Sequence, residues 1–334
     1  MKKLILHIGY PKTASTTLQE GLFLQLHKLG KINFLGRTVT STHKKLFADG
    51  FTQDWVVDFR KHFIMDKELP LPKYELSDIL LNVISDEDLT VPAIFNSIQF
   101  GVEKNPLDFV EPLHALLREA DDVTVLITIR NQVDLIPSSY LQKFRYIYLY
   151  QPDLTFDSFI RDTSGGFRLE TFQAFNFLQV ADMYAKAFKA KVVPIIFEDL
   201  KFDKPYFFKQ LALVLIVDEK ELLNIIGNKH FRNRKALGRV DSTIVRMPNA
   251  FGKLFGKIVG KGKERQFFSF NWYLRNSALL SLEKDLFLSK RIVPLPVIKA
   301  ELKEFIKSAF MDCNLAFAEK YGIDIERMKT YNYL

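Results

Sequence analysis

The chain has 334 residues, with 47 Lys and Arg against 39 Asp and Glu, giving a formal charge of +8. Hydrophobic residues make up 48% and charged residues 26%, which excludes wholesale disorder, a collagen-like repeat and a coiled-coil rod. A single cysteine, Cys313, excludes an internal disulfide framework.

In chain order, residues 4–9 form a short apolar run that reads as a buried strand. The run breaks at His7 and Gly9, too early for the core of a secretory signal. No window approaches the ~20 uncharged apolar residues of a spanning helix, so a cytoplasmic chain is expected. A helical pattern covers residues 15–29, and 32–35 and 79–84 read as further strands. Residues 107–119 have helical spacing, and 123–129 are a β-branched strand closed by Arg130-Asn131. A helix follows over 133–148, then helical patterns at 156–161 and 170–189, and a strand at 191–197 that ends at Glu198-Asp199.

Apolar strands without polar alternation, separated by helices, predict an α/β fold with a mostly parallel sheet covered on both faces. In such sheets ligands bind beyond the carboxyl ends of the strands. Those ends carry Tyr10-Pro11-Lys12, Ser85-Asp86-Glu87, Arg130-Asn131 and Glu198-Asp199, and their convergence marks the expected site.

The charge is uneven. Residues 225–265 hold eleven Lys and Arg against only Asp241 and Glu264, so this stretch is +9 and the rest of the chain is close to neutral. A local basic stretch predicts an anionic partner. It lacks a nucleic-acid reading motif, so nucleic acid is not expected.

The first strand end carries the most chemistry. His7-Ile8-Gly9-Tyr10-Pro11-Lys12-Thr13-Ala14-Ser15-Thr16-Thr17 runs strand, turn, helix, with Lys12 and a set of hydroxyls where unpaired helix N–H groups favour an anion. It is not a Walker A loop. Aligning Lys12-Thr13 with that motif's final pair places Pro11 and Leu6 where glycines are required. A capped helix start would account for the same Ser and Thr residues structurally.

GYPKTASTT resembles the 5′-phosphosulfate loop of the sulfotransferases, commonly (Y/H)PKTGTT. These enzymes transfer a sulfuryl group from 3′-phosphoadenosine 5′-phosphosulfate (PAPS) to a hydroxyl or amine. The departures are Ala14 for glycine and Ser15 for threonine, and Ala14 fits only at negative φ, since a left-handed position penalises a Cβ. The family's second element, a strand ending in Arg with Ser eight residues on, is matched by Arg130 and Ser138. The stretch 192–215 resembles the late strand–Tyr-Glu-Asp-Leu–helix of bacterial members, with Phe197 at the Tyr position. Glu198 and Asp199 read as structural.

The resemblance covers residues 2–240 and implies a P-loop-like sheet in one sulfotransferase-type domain over 1–334. Residues 241–296 would be a basic lid or interfacial insertion, and 297–334 a C-terminal helix and tail. Lys12, Thr13, Ala14, Ser15 and Thr16 would bind the 5′ side of the cofactor, and Arg130 and Ser138 the 3′-phosphate. Arg234 and Lys235, in HFRNRKALG, resemble the family's late cofactor loop. Lys12 would also stabilise the leaving oxygen.

Glu87, in VISDEDL, is the expected general base, with Asp86 and Asp88 facing elsewhere; His43, in TSTHKKLF, is the runner-up. A singly charged sulfuryl group needs no metal, and none is expected. The acceptor expected is a carbohydrate or glycolipid hydroxyl. Residues 251–265 place Phe251, Leu254, Phe255, Ile258 and Val259 on one face with lysines beside them. This outlines either an acceptor lid, which is preferred, or a peripheral contact with anionic lipid. The competing functions are a small-molecule kinase with a divergent phosphate loop and a non-catalytic PAP- or membrane-binding protein.

Overall fold

A computed structural model describes residues 1–35, 75–90, 105–150, 154–169, 171–227, 239–241, 292–294 and 296–334. Strand β1 (Lys3–His7) leads through a turn into a helical run that contains a π-helical stretch, Thr17–Phe23, and ends as α1 (Leu24–Lys28). Next come β2 (Ile32–Phe34), β3 (Leu81–Ser85) and a 3₁₀ turn, Glu87–Thr90. A second 3₁₀ turn, Pro106–Phe109, enters α2 (Val110–Leu116). Then follow β4 (Asp122–Ile129), α3 (Gln132–Tyr150), α4 (Phe156–Ile160), α5 (Phe177–Phe188) and β5 (Lys191–Ile196). Helices α6 (Phe197–Phe202), α7 (Lys204–Leu215) and α8 (Glu219–Gly227) precede a two-stranded antiparallel ribbon of β6 (Arg239–Asp241) and β7 (Ile292–Pro294). The chain closes with α9 (Ala300–Tyr321) and α10 (Ile325–Thr330).

The main sheet has five parallel strands in the order β2-β3-β1-β4-β5. Its strands are apolar on both faces because helices cover both. Leu4, Leu6, Ile84, Val125 and Ile127 face one core, filled by α2, α3, α5 and α9. Ile5, Val83, Leu126 and Ile195 face the other, filled by Leu18, Leu22 and Phe23 of the π-helical stretch together with α7 and α8. The helices after β1 and after β4 therefore lie on opposite faces. The crevice between these two neighbouring strands, at their carboxyl ends, is where such a sheet opens a ligand site.

Three element boundaries differ from the sequence pattern for local reasons. The expected helix over 107–119 starts as a 3₁₀ turn, held by a capping box between Asn105 and Asp108 with Pro106 behind it. The helical pattern at 170–189 becomes a 3₁₀ turn, Gln173–Phe175, before Asn176 caps α5 by accepting from Gln179 N–H. Glu198 and Asp199 lie in the first turn of α6, which begins directly where β5 stops. Among the described residues no helix is long and apolar enough to cross a membrane.

Candidate functional site

Beyond β1 the chain stays beside β4, with Ile8 N–H donating to Leu126 O (3.0 Å) and Tyr10 N–H to Thr128 O (3.3 Å). The Tyr10 ring is buried against Phe175 and Phe177, which anchors the turn that follows. Thr13 is fully buried, and both its N–H and its hydroxyl donate to Tyr10 O, so its side chain braces the loop from inside. Lys12 (φ +69°) and Ala14 (φ +63°) are both left-handed. This corrects the expectation of a negative φ at Ala14. The backbone keeps the conformation a glycine would take and Ala14 bears the cost, about 1–2 kcal/mol. The left-handed residues on either side of Thr13 bend the loop sharply around its buried side chain. Ser15 is buried and Thr16 exposed at the start of the helical run.

Arg130 closes on this loop from the end of β4. Its Nη1 donates to Lys12 O at 3.2 Å, which joins the two strand-end motifs directly. Asp134 lies 3.9 Å from Nη2, and the Phe197 ring lies under the guanidinium at 5.3 Å. Nε of Arg130 is buried with no hydrogen-bond partner. A buried, unpaired N–H is costly, and an oxyanion placed there would satisfy it. Ser138 is half-buried two turns along α3, while its neighbour Ser139 is buried with an unpartnered hydroxyl.

The turn after β3 is tied to the same edge. Asp86 N–H donates to His7 O (3.2 Å), and the Thr90 hydroxyl contacts Gly9 O (3.4 Å). Glu87 is half-buried and accepts from Gln19 Nε2 at 2.8 Å, so the expected base is linked to the helix that follows the phosphate-type loop. Asp86 points inward and is fully buried.

Glu198 and Asp199 serve the scaffold. Glu198 Oε1 accepts from Asn131 N (3.3 Å) and Nδ2 (3.1 Å), and its Oε2 accepts from Tyr333 Oη (2.8 Å). Burial pushes the Glu198 carboxyl up against the pull of these donors. Asp199 binds Arg327 (2.6 Å) and Tyr331 Oη (2.9 Å). The last ten residues are thus pinned to the strand end that carries Arg130.

Two functional-looking residues carried no motif. His7 is fully buried, with Nδ1 2.7 Å from Ser85 Oγ and Nε2 2.9 Å from Thr128 Oγ1. Burial lowers its pKa to about 3, so it is neutral at physiological pH. Gly9 sits directly over it, and a Cβ there would lie 2.6 Å from His7 Nε2. Gln19 is fully buried on the π-helical stretch. Their one visible signal was polarity within otherwise apolar, core-facing positions.

His43, Arg234, Lys235 and the 251–265 stretch lie outside the described residues. Among the described residues no cluster of His, Cys, Asp and Glu could hold a metal ion. No protein-family model and no curated protein matches this chain.

Proposed function

We propose that this chain is a sulfotransferase that moves a sulfuryl group from PAPS to a hydroxyl of a carbohydrate or glycolipid. The observation that carries this reading is the 3.2 Å bond from Arg130 to the Lys12 carbonyl, which joins the two motifs that resemble the family's phosphate-binding elements. The unpartnered Nε of Arg130 supports it, because it suits a phosphate-type oxygen.

In this reading the loop N–H groups and Lys12 bind the 5′ side of PAPS, and Arg130 with Ser138 binds the 3′-phosphate. Lys12 stabilises the charge that builds on the bridging oxygen as its bond to sulfur breaks. Glu87 accepts the proton of the acceptor hydroxyl as the new oxygen–sulfur bond forms in line. The products are a sulfate ester and 3′-phosphoadenosine 5′-phosphate (PAP).

The test is transfer from radiolabelled PAPS to a panel of carbohydrates and glycolipids, with wild type and Lys12→Ala. Labelled product is expected from wild type, falling about 100-fold or more in the variant. No product from any acceptor, or magnesium-dependent ATP turnover in its place, would contradict the proposal.

A further inference from the structure

The site face of the sheet ends in a polar row beneath the helical run. Ile5, Val83 and Leu126 form the last apolar layer on that face, and His7, Ser85 and Thr128 come next. His7 bridges Ser85 and Thr128, and Gln19 descends onto the row from the π-helical stretch. Gln19 Nε2 lies 3.1 Å from Ser85 Oγ and 2.8 Å from Glu87 Oε2.

The donor facing Glu87 can be assigned. An ionised carboxylate only accepts, so the Gln19 amide must turn Nε2, not Oε1, toward Glu87. The second N–H of Nε2 then goes to Ser85 Oγ. Ser85 Oγ and Thr128 Oγ1 lie 2.7 and 2.9 Å from the two His7 ring nitrogens, so one nitrogen donates to a hydroxyl and the other accepts from one. A neutral imidazole has one donor and one acceptor nitrogen, and the burial of His7 keeps it neutral.

We infer that Gln19 is the positioning residue for Glu87, with its amide held in one orientation by the buried Thr128–His7–Ser85 row. This inference rests on the reading of Glu87 as the base. A bond on Oε2 restrains the carboxylate, and so influences where its lone pairs meet an acceptor hydroxyl.

The test has two parts on the full chain. In the first, glutamine side chains are ¹⁵N-labelled, and the Gln19 amide is identified by its loss in Gln19→Met or Gln19→Glu. In Glu87→Ala its proton resonance should move upfield, and an unmoved resonance would overturn the inference. In the second, Gln19→Met should lower kcat about 10- to 100-fold, with KM for PAPS and Kd for PAP kept within about twofold. Ser85→Ala, which leaves Gln19 in place, should lower kcat in the same direction and keeps the test open if Gln19→Met does not fold. Unchanged kcat in both variants, or an equal rise in KM, would overturn it. A moved resonance without PAPS turnover by wild type would instead defeat the sulfotransferase reading and leave the Gln19–Glu87 contact standing.

Discussion

Ala14 sits at φ +63°, where its Cβ crowds the following carbonyl and a glycine would not. Ala14→Gly should therefore stabilise the protein, by about 0.5–1 kcal/mol once the greater freedom of glycine in the unfolded chain is deducted. Urea denaturation checks this, and a loss of stability would show that the loop does not hold the left-handed conformation. His7 makes a second prediction. Its pKa is about 3 in the fold against an ordinary 6.5, so between those values the unfolded chain binds a proton that the folded chain refuses. Stability should fall as the pH drops below 6.5, by up to about 1.4 kcal/mol per pH unit from this one group. His7→Gln removes that contribution, so the variant should show a shallower acid slope in urea denaturation. An unchanged slope would mean that His7 is not held neutral.

At the scale of elements, the C-terminal helix and tail act as a clamp on the edge of the site. Arg327 of α10 holds both Asp199 (2.6 Å) and Asp203 (2.8 Å), and the Asp199 side chain is only 3% exposed. Arg327→Ala leaves a buried carboxylate without its charged partner, and should cost about 2–3 kcal/mol. Lys329 also makes an ion pair, with Glu326, but both partners are more than half exposed. Lys329→Ala should change stability by less than about 0.5 kcal/mol. Equal effects in the two variants, measured by urea denaturation, would show that the clamp carries no special weight. Arg327 and Asp199 are 128 residues apart, so no local pattern announced their pairing.

Across the whole molecule, what was legible in the sequence was what depends on short-range pattern. Strands β1, β3, β4 and β5 are buried on both faces and lack alternation, so each appeared as a continuous apolar run with polar residues at its end. Their parallel pairing brings those ends to one edge, and Arg130 and the Lys12 loop meet there as expected. What was not legible depends on neighbours brought in by the fold. The left-handed Ala14 is set by the turn as a whole, and the roles of His7 and Gln19 exist only because Ser85, Thr128 and Glu87 arrive from other strands. The +8 charge pointed to residues 225–265, yet Lys12 and Arg130 both lie in the near-neutral part of the chain.

The most direct measurement of whether this edge binds a bisphosphorylated adenosine is the thermal unfolding of the full chain with and without PAP. At about 100 times Kd, ligand binding contributes about 2.7 kcal/mol, so wild type should gain roughly 5 °C in Tm, and Arg130→Ala should lose most of that gain at the same concentration. A Tm unmoved by saturating PAP, or an equal shift in Arg130→Ala, would contradict the assignment of this strand edge as the PAPS site.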